Sequence, residues 1–197
     1  LLSKISLYLG RNVVIASIGA SLVLSIVQLR EVIVSGPISY KFGNYVMPFG
    51  IEFKIDTINA IMLVMISIIG LLTGFFSTNF EEGSKDRIKI GGTHALTALL
   101  CVGMLGMTST GDVFNLYVFL EVTSLSGYVL IALGGSRGVV SSFRYLLMGT
   151  VAATFYLLGV AFLYSATGTL NMHDMHVILS KGGHDNTMLL AMCMLIV

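Results

Sequence analysis

The chain of 197 residues is strongly apolar, with 55% hydrophobic residues, 11% charged residues and a mean hydropathy of +0.91. Soluble domains carry about 25% charged residues, so this composition excludes an ordinary soluble domain and indicates an integral membrane protein. The net charge of +1 gives no basis for a nucleic-acid surface, and none is expected.

Five apolar stretches are each long enough to cross a bilayer as a helix. At about 1.5 Å per residue, a helix of about 20 residues spans a hydrocarbon core of roughly 30 Å. Helices are expected rather than barrel strands, because the stretches do not alternate and a helix satisfies its own backbone hydrogen bonds. The predicted spans are about 12–29, 57–80, 90–111, 113–134 and 144–167, and the start of another lies at 187–197.

The segments between the spans predict an external loop and an interfacial helix. Residues 30–56 contain both prolines and alternate polar with apolar residues, which favours a short extended or hairpin-like cap outside the membrane. Residues 171–182 are expected to form a helix in the membrane interface. Seven Lys and Arg residues fall on one side of this layout and four on the other, so the side with seven is expected to face the cytoplasm.

Both ends of the sequence lie in apolar segments. The opening LLSKISLYLG has no initiator methionine and resembles the tail of a helix, and the closing MLLAMCMLIV stops within an apolar run. The chain is therefore expected to be a fragment of a longer subunit. Cys101 and Cys193 lie in apolar stretches, which predicts buried thiols rather than a disulfide.

A single carboxylate interrupts the fourth span. In GDVFNLYVFLEVTSLSGYVLIALGG, Glu121 follows Val113 by eight residues, about 12 Å along a helix, which places it near the middle of the membrane. An ionised side chain there costs about 2.5 to 3.5 kcal/mol on insertion scales. A carboxylate balanced between desolvation and a nearby cation can load and release a proton near neutral pH. Glu121 is predicted to act in this way, and the alternative is a buried ion pair that only ties helices together.

Hydroxyl and aromatic side chains accompany Glu121 on one face of its helix. At about 100° per residue, an arc of about 80° holds a set that we call the Glu121 stripe: Phe114, Tyr117, Glu121, Ser124 and Tyr128. The preceding span carries a weaker stripe, which consists of His94, Thr97, Cys101 and Thr108. Because only a short turn joins the two spans, they are expected to be antiparallel neighbours. Their polar faces could then meet, as the lining of a proton path would require.

Other polar residues are candidates for supporting roles. Asp112 precedes the Glu121 helix and is expected either to cap it or to collect cations at its outer mouth. Arg144 could pair with Glu121 or extend its side chain to the headgroups. A further cluster suggests a metal site or a titrating surface, but it holds no Cys and no metal is expected: His173, Asp174, His176, His184 and Asp185. No motif for a cofactor or for redox chemistry is found in this sequence.

The longest motifs resemble a known family. GDVFNLYVFLEVTSLSGYVLIALGG and SSFRYLLMGTVAATFYLLGVAFLYSATGTLNMHDM are similar to the antiporter-like subunits shared by Mrp-type cation/proton antiporters, membrane-bound hydrogenases and respiratory complex I, most of all to the D-type antiporter subunits and their hydrogenase counterparts. GIEFKIDTINAIMLVMISIIGLLTGFFS is similar to the segment entering the family's third helix. The resemblance implies an all-α polytopic bundle in which the chain covers about helices two to six of a fourteen-helix fold of two inverted repeats.

The resemblance also implies a role for Glu121, which matches the family's glutamate on helix five. In the family this residue pairs with a lysine on helix seven, which here would lie beyond Val197, and protonation of the pair is coupled to ion movement. LLSKISLYLG would be the end of helix one.

The predicted function is an ion-translocating subunit that moves protons, with sodium ions as a second candidate. It is expected in the cell membrane, within the lipid bilayer and beside other membrane subunits. The residues do not distinguish an antiporter from a hydrogenase or a dehydrogenase as the whole complex. A structural membrane anchor that transports nothing is the main alternative, and a quinone-binding subunit is a more remote one.

Overall fold

The computed structural model describes residues 2–44, 50–81, 87–181 and 186–196, with side chains over 10–43, 50–77, 90–181 and 187–196. Within these ranges the chain forms seven α-helices and one antiparallel hairpin. The helices are α1 (Leu2–Ser35), α2 (Thr57–Glu81), α3 (Arg87–Ser109), α4 (Val113–Ala132), α5 (Ser136–Thr167), α6 (Met172–Lys181) and α7 (Asn186–Ile196). The strands are β1 (Ile38–Lys41) and β2 (Glu52–Ile55), and a 3-10 turn at Phe42–Asn44 follows β1.

Five helices in the described part of the chain are long and apolar enough to cross a membrane. The membrane-spanning segments are Gly10–Ser35 in α1, Thr57–Ser77 in α2, Ile90–Ser109 in α3, and the whole of α4 and α5. This confirms the predicted all-α membrane bundle. The shorter apolar helix Thr187–Ile196 lies where the start of a further span was predicted, and Val197 is outside the described residues.

Two helices are longer than the sequence predicted. The first helix, α1, runs without a break from Leu2, so residues 2–10 continue into the helix of the first span, Gly10–Ser35, and are not the end of a separate helix. It also includes Arg30 and Glu31, so the external loop starts at Gly36 rather than at residue 30. The fifth span starts at Ser136 rather than at 144. Long charged side chains near a helix end can extend to the headgroups, so a charge does not by itself end a membrane helix.

Neighbouring helices pack in chain order, since α1 contacts α2, α2 contacts α3, α3 contacts α4 and α4 contacts α5. Hydroxyl groups join α1 to α2, because the Ser67 hydroxyl lies 3.3 Å from that of Ser25 and only 1% of Ser67 is exposed. On the other side of the bundle, Gly159 of α5 allows close contact with Ala191 and Leu195 of α7. Small residues and hydrogen bonds of this kind hold membrane helices together, because lipid tails compete with purely apolar contacts.

The hairpin extends into two other loops at one end of the bundle. In its own register, Lys41 pairs with Glu52 and Ile38 with Ile55. The antiparallel pairing then continues as single bridges from Phe53 to Thr110 and from Asp112 to Asn171. The segments that precede α2, α4 and α6 therefore meet at this end, which we call the hairpin end.

Candidate functional site

Glu121 lies inside a membrane-spanning helix beside a hydroxyl group. It is partly buried and follows the first residue of α4, Val113, by eight positions, or about 12 Å along the axis. The hydroxyl of Tyr117, one turn earlier, is close enough to interact with the carboxylate by hydrogen bonding and by charge. A hydroxyl partner lowers the cost of keeping a carboxylate away from water.

The Glu121 stripe faces α5 through two pairs of tyrosines. Tyr117 stacks on Tyr156, with ring centroids 6.1 Å apart and planes 12° apart. Tyr128 meets Tyr145 edge to face, with centroids 4.9 Å apart and planes at 82°. Both pairs follow one antiparallel register, and that register places Ala152 level with Glu121.

The far end of the stripe is packed closely against α5. Tyr128 is buried, and its carbonyl accepts a 2.6 Å hydrogen bond from the hydroxyl of Ser142. Gly149 has no side chain at the point where the Tyr128 hydroxyl approaches, and a Cβ there would overlap that hydroxyl. Glycine at this position therefore lets α4 and α5 approach each other.

The closest approach between α3 and α4 does not lie between their polar stripes. Two glycines of α3 lie against α4: a Cβ at Gly106 would overlap the ring of Phe119, and one at Gly103 would overlap the hydroxyl of Thr123. On α4, Phe119 and Thr123 lie about 160° to 200° around the helix from Glu121. Because the two backbones approach most closely at the glycines, α4 packs on the glycine face of α3.

The polar stripe of α3 points toward the other side of the bundle. Cys101 approaches Gly70 of α2, where a Cβ would be in close contact with its sulfur. His94 and Thr97 share this face and are buried, with 4% and 8% of their surfaces exposed. His94 and Thr97 therefore lie on a different face of α3 from the glycines that approach α4.

Asp112 caps the N-terminus of the Glu121 helix. Its carboxylate accepts a 2.7 Å hydrogen bond from the backbone N–H of Asn115, and 5% of the residue is exposed. Burial raises the pKa of Asp112, and hydrogen bonds from the backbone of α4 partly oppose this effect. The Asn115 side chain in turn donates to the hydroxyl of Thr110 at 3.0 Å. Asp112 was expected either to cap α4 or to collect cations, and its hydrogen bond to Asn115 has the geometry of a helix cap.

Glu52 connects the hairpin to the segments that precede α4 and α6. Its carboxylate accepts hydrogen bonds from the hydroxyl of Ser39 and, at 2.7 Å, from the side-chain amide of Asn171. Its backbone carbonyl accepts a 2.8 Å hydrogen bond from the N–H of Gly111. The Ser39 hydrogen bond is the main cause that lowers the pKa of Glu52, with smaller contributions from Asn171 and two nearby lysines, whereas burial acts in the opposite direction.

The remaining sequence candidates lie apart from one another. Ser124 is partly buried on the Glu121 stripe, whereas Arg144 is exposed on α5. Arg144 lies about 100° around the helix from Tyr145, so it is not on the face that contacts the stripe. His173 and His176 are exposed on α6. His184 and Asp185 lie outside the described residues.

Two tyrosines of the site, Tyr145 and Tyr156, were not among the sequence candidates. A signal for them exists, because they are eleven residues apart, and so are Tyr117 and Tyr128. Eleven residues complete about three helical turns, so each pair shares one face. Two antiparallel helices with the same spacing can match both pairs at once.

The chain matches known membrane proteins in sequence and in fold. Residues 110–197 match the family model described as NADH:quinone oxidoreductase/Mrp antiporter, TM. NADH-quinone oxidoreductase subunit N of Desulforudis audaxviator (strain MP104C) is 43% identical over 180 residues, which cover 91% of this chain and 36% of that protein. The D-type subunit of the Na(+)/H(+) antiporter of Bacillus subtilis (strain 168) is 32% identical over 169 residues, which cover 85% of this chain and 34% of that protein.

A solved structure shares the fold over almost the whole chain. A chain of the membrane-bound sulfane sulfur reductase, an archaeal respiratory membrane complex, superposes with a TM-score of 0.85 at 26% identity, over 99% of this chain and 42% of that one. The present chain spans about a third of the length of the two curated relatives. The five apolar spans and these relatives support the expected multi-pass location in the cell membrane. The chain belongs to the family of antiporter-like membrane subunits that includes NADH-quinone oxidoreductase subunit N and the D-type subunits of Na(+)/H(+) antiporters.

Proposed function

We propose that the chain is part of an ion-translocating subunit in which Glu121 gains and loses a proton as ions cross the membrane. The observation that carries this proposal is the position of Glu121, which lies within a membrane-spanning helix and beside the hydroxyl of Tyr117. Ionisable residues inside membrane spans are costly and commonly belong to proton or ion pathways.

Tyr117 is suited to both protonation states of Glu121. A tyrosine hydroxyl can donate a hydrogen bond to a carboxylate and can accept one from a carboxylic acid. The same partner can therefore remain in place while the proton arrives and leaves. The tyrosine register places Ala152, which has a small side chain, level with Glu121 on α5.

Protons are the transported ions that this geometry supports best, and sodium ions are the second candidate because a carboxylate binds either. The relative in Bacillus subtilis is named as part of an Na(+)/H(+) antiporter. Moving one charge against 100 mV requires about 2.3 kcal/mol, so transport needs a coupled gradient or redox reaction. We propose that other membrane subunits of the same complex supply this coupling, because the similar archaeal chain is part of a respiratory membrane complex.

The decisive experiment replaces Glu121 by glutamine in the full-length subunit within its intact complex. Glutamine keeps the size and the hydrogen-bonding capacity of the side chain but cannot be ionised. We expect the initial rate of ion-driven proton movement in inverted membrane vesicles to fall by about 100-fold or more, because the step that uses the proton is lost. Assembly of the complex, measured on native gels, should not change.

Glu31 provides a matched control for this substitution. Glu31 lies near the end of α1 and is exposed, and its carboxylate accepts a hydrogen bond from the hydroxyl of Ser35 one turn away. Glu31→Gln should leave both transport and assembly as in the wild type. If Glu121→Gln transports at the wild-type rate in a normally assembled complex, the proposal is wrong and a structural anchor becomes the better description.

A further inference from the structure

We infer that Tyr156 of α5 is a positioning residue for the ion-carrying site, because it holds the hydroxyl of Tyr117 against Glu121. This inference rests on the proposed function and names a residue on a different helix, 35 positions beyond Glu121. Tyr156 is not assigned to act on the ion itself. Its effect on Glu121 is exerted through Tyr117.

The ring of Tyr156 is held at two points. Its face lies against the ring of Tyr117, with centroids 6.1 Å apart and the planes almost parallel. Its hydroxyl donates a 3.1 Å hydrogen bond to the carbonyl oxygen of Val113, the first residue of α4. A tyrosine has two rotatable side-chain bonds, so two such contacts are enough to define its orientation.

Both contacts act on the same turn of α4. In an α-helix, the carbonyl of residue 113 is the partner of the backbone N–H of residue 117. The Tyr156 hydroxyl therefore bonds to the turn that carries Tyr117, while its ring packs on the Tyr117 side chain. Both contacts of Tyr156 thus lie on the first turn of α4, which ends at Tyr117.

The other aromatic neighbour of Tyr117 is a weaker support. Phe114 lies 6.2 Å from Tyr117, but its ring is tilted by 35° and 44% of the residue is exposed. Tyr156 is partly buried and approaches from α5, on the side toward which the Glu121 stripe faces. Without the Tyr156 ring, Tyr117 would have space to rotate toward α5, and its hydroxyl would leave the carboxylate.

The inference is tested with a double-mutant cycle in the full-length subunit within its complex. The variants are Tyr117→Phe, Tyr156→Leu and the two combined, and the readouts are the initial antiport rate and its dependence on pH. Tyr156→Phe keeps the stacked ring and removes the hydrogen bond to Val113. Tyr164→Leu is the control, because Tyr164 lies on the same helix and 48% of it is exposed.

We expect Tyr117→Phe and Tyr156→Leu each to lower the rate about tenfold, as for one lost hydrogen bond to a charged group. Both should also change the pH dependence of the rate, whereas a purely structural role of Tyr156 would leave that dependence unchanged. The combined variant should be no worse than either single variant, since both changes remove the same contact. Tyr156→Phe should retain most of the rate, and Tyr164→Leu all of it.

Several outcomes would overturn the inference. One is a wild-type rate and pH profile for Tyr117→Phe or Tyr156→Leu, and another is additive loss in the combined variant. If Tyr156→Leu does not assemble, Tyr156→Met tests the same point with a flexible side chain that has no ring. Failure of both variants to assemble would show that Tyr156 has a structural role instead.

Failure of the proposed function gives a different result. In that case Glu121→Gln transports normally, and the rates of the tyrosine variants carry no information about an ion site. If Glu121→Gln is inactive and Tyr156→Leu is normal, only the role of Tyr156 is excluded.

Discussion

The side-chain amide of Asn171 donates a 2.7 Å hydrogen bond to the carboxylate of Glu52, across 119 positions of the sequence. This contact joins the hairpin to the segment that precedes α6. A backbone hydrogen bond of 2.9 Å from Met172 to Gly111 then connects that segment to the turn before α4. The position of the Glu121 helix is therefore tied to the hairpin end through polar contacts.

Replacing Glu52 by glutamine should weaken the hairpin end. The carboxylate accepts two hydrogen bonds, and glutamine offers one uncharged acceptor oxygen in its place. Because the site is partly exposed, we expect a loss of about 1 kcal/mol in unfolding free energy, measured from the thermal midpoint of the full-length subunit in detergent. Asn171→Ala should cost a similar amount. The combined variant should lose less than the sum, and a fully additive loss would show that the two residues act independently.

The contribution of Glu52 should also depend on pH. Its pKa is lowered in the folded protein from an ordinary value of 4.5, mainly by the Ser39 hydroxyl. Its stabilisation is therefore complete above pH 4.5 and is lost as the pH falls through the lower, folded-state pKa. Thermal midpoints measured from pH 7 to pH 3 should converge for wild type and Glu52→Gln at the acidic end. A constant difference across this range would contradict the assignment.

The two glycines of α3 should respond differently to alanine. At Gly106 a Cβ meets the ring of Phe119, which a smaller side chain can relieve, whereas at Gly103 it also comes within 3.0 Å of the backbone nitrogen of Thr123. Each alanine should cost about 1 to 3 kcal/mol of stability through overpacking. Adding Phe119→Leu should restore the Gly106→Ala variant and leave Gly103→Ala impaired.

Gly92 provides the control for this pair, because a Cβ there meets no described atom within 4 Å, apart from its own chain neighbours and the backbone of its helix turn. Gly92→Ala should leave the thermal midpoint and the assembly of the complex unchanged. If Gly106→Ala were equally harmless, the close approach of α3 and α4 at that level would be refuted.

The membrane spans could be predicted because their signal is compositional. A helix in lipid needs only a sufficient length of apolar residues, and α2 and α4 both show it. The end of α1 was less predictable, since the sequence does not reveal whether Arg30 and Glu31 continue the helix or leave it. Their long side chains can reach the polar headgroups, so the helix continues through them.

The residues that contact the Glu121 stripe were harder to predict from the sequence than the membrane spans. The spacing of its tyrosines matches that of Tyr145 and Tyr156, but the match has meaning only when the contacting faces are known. Gly103 and Gly106 decide the face between α3 and α4, and the sequence does not distinguish them from glycines that meet nothing. The bond between Glu52 and Asn171 has no local pattern at all, because it joins residues far apart in the chain.

Substitutions of Asp112 can separate its role as a helix cap from the effect of its charge. Asparagine caps helices about as well as aspartate, so Asp112→Asn should keep the helix, whereas Asp112→Ala should cost about 1 kcal/mol. Burial raises the pKa of Asp112 in the folded protein above its ordinary value of 3.8, so ionisation of Asp112 opposes folding. The free energy of unfolding should therefore decline as the pH rises from 3.8 through the raised, folded-state pKa. Asp112→Asn should lack this decline in thermal midpoint. If its transport rate also falls severalfold, the charge has a role beyond capping.

The space beside Glu121 can be tested with a cysteine at Ala152, which the tyrosine register places level with the carboxylate. In a full-length variant with every native cysteine replaced by serine, Cys101 and Cys193 among them, Ala152→Cys should react with a charged, membrane-impermeant thiol reagent, and the reaction should inhibit transport. Such reagents require water, so reaction would indicate a wet space next to Glu121. Ala161→Cys is the control, because Ala161 lies about 180° around α5 from Ala152; both alanines are exposed in this chain, so their positions relative to Glu121 are what differ. Equal protection of both cysteines would place Glu121 in a dry environment and would argue against proton exchange at that residue.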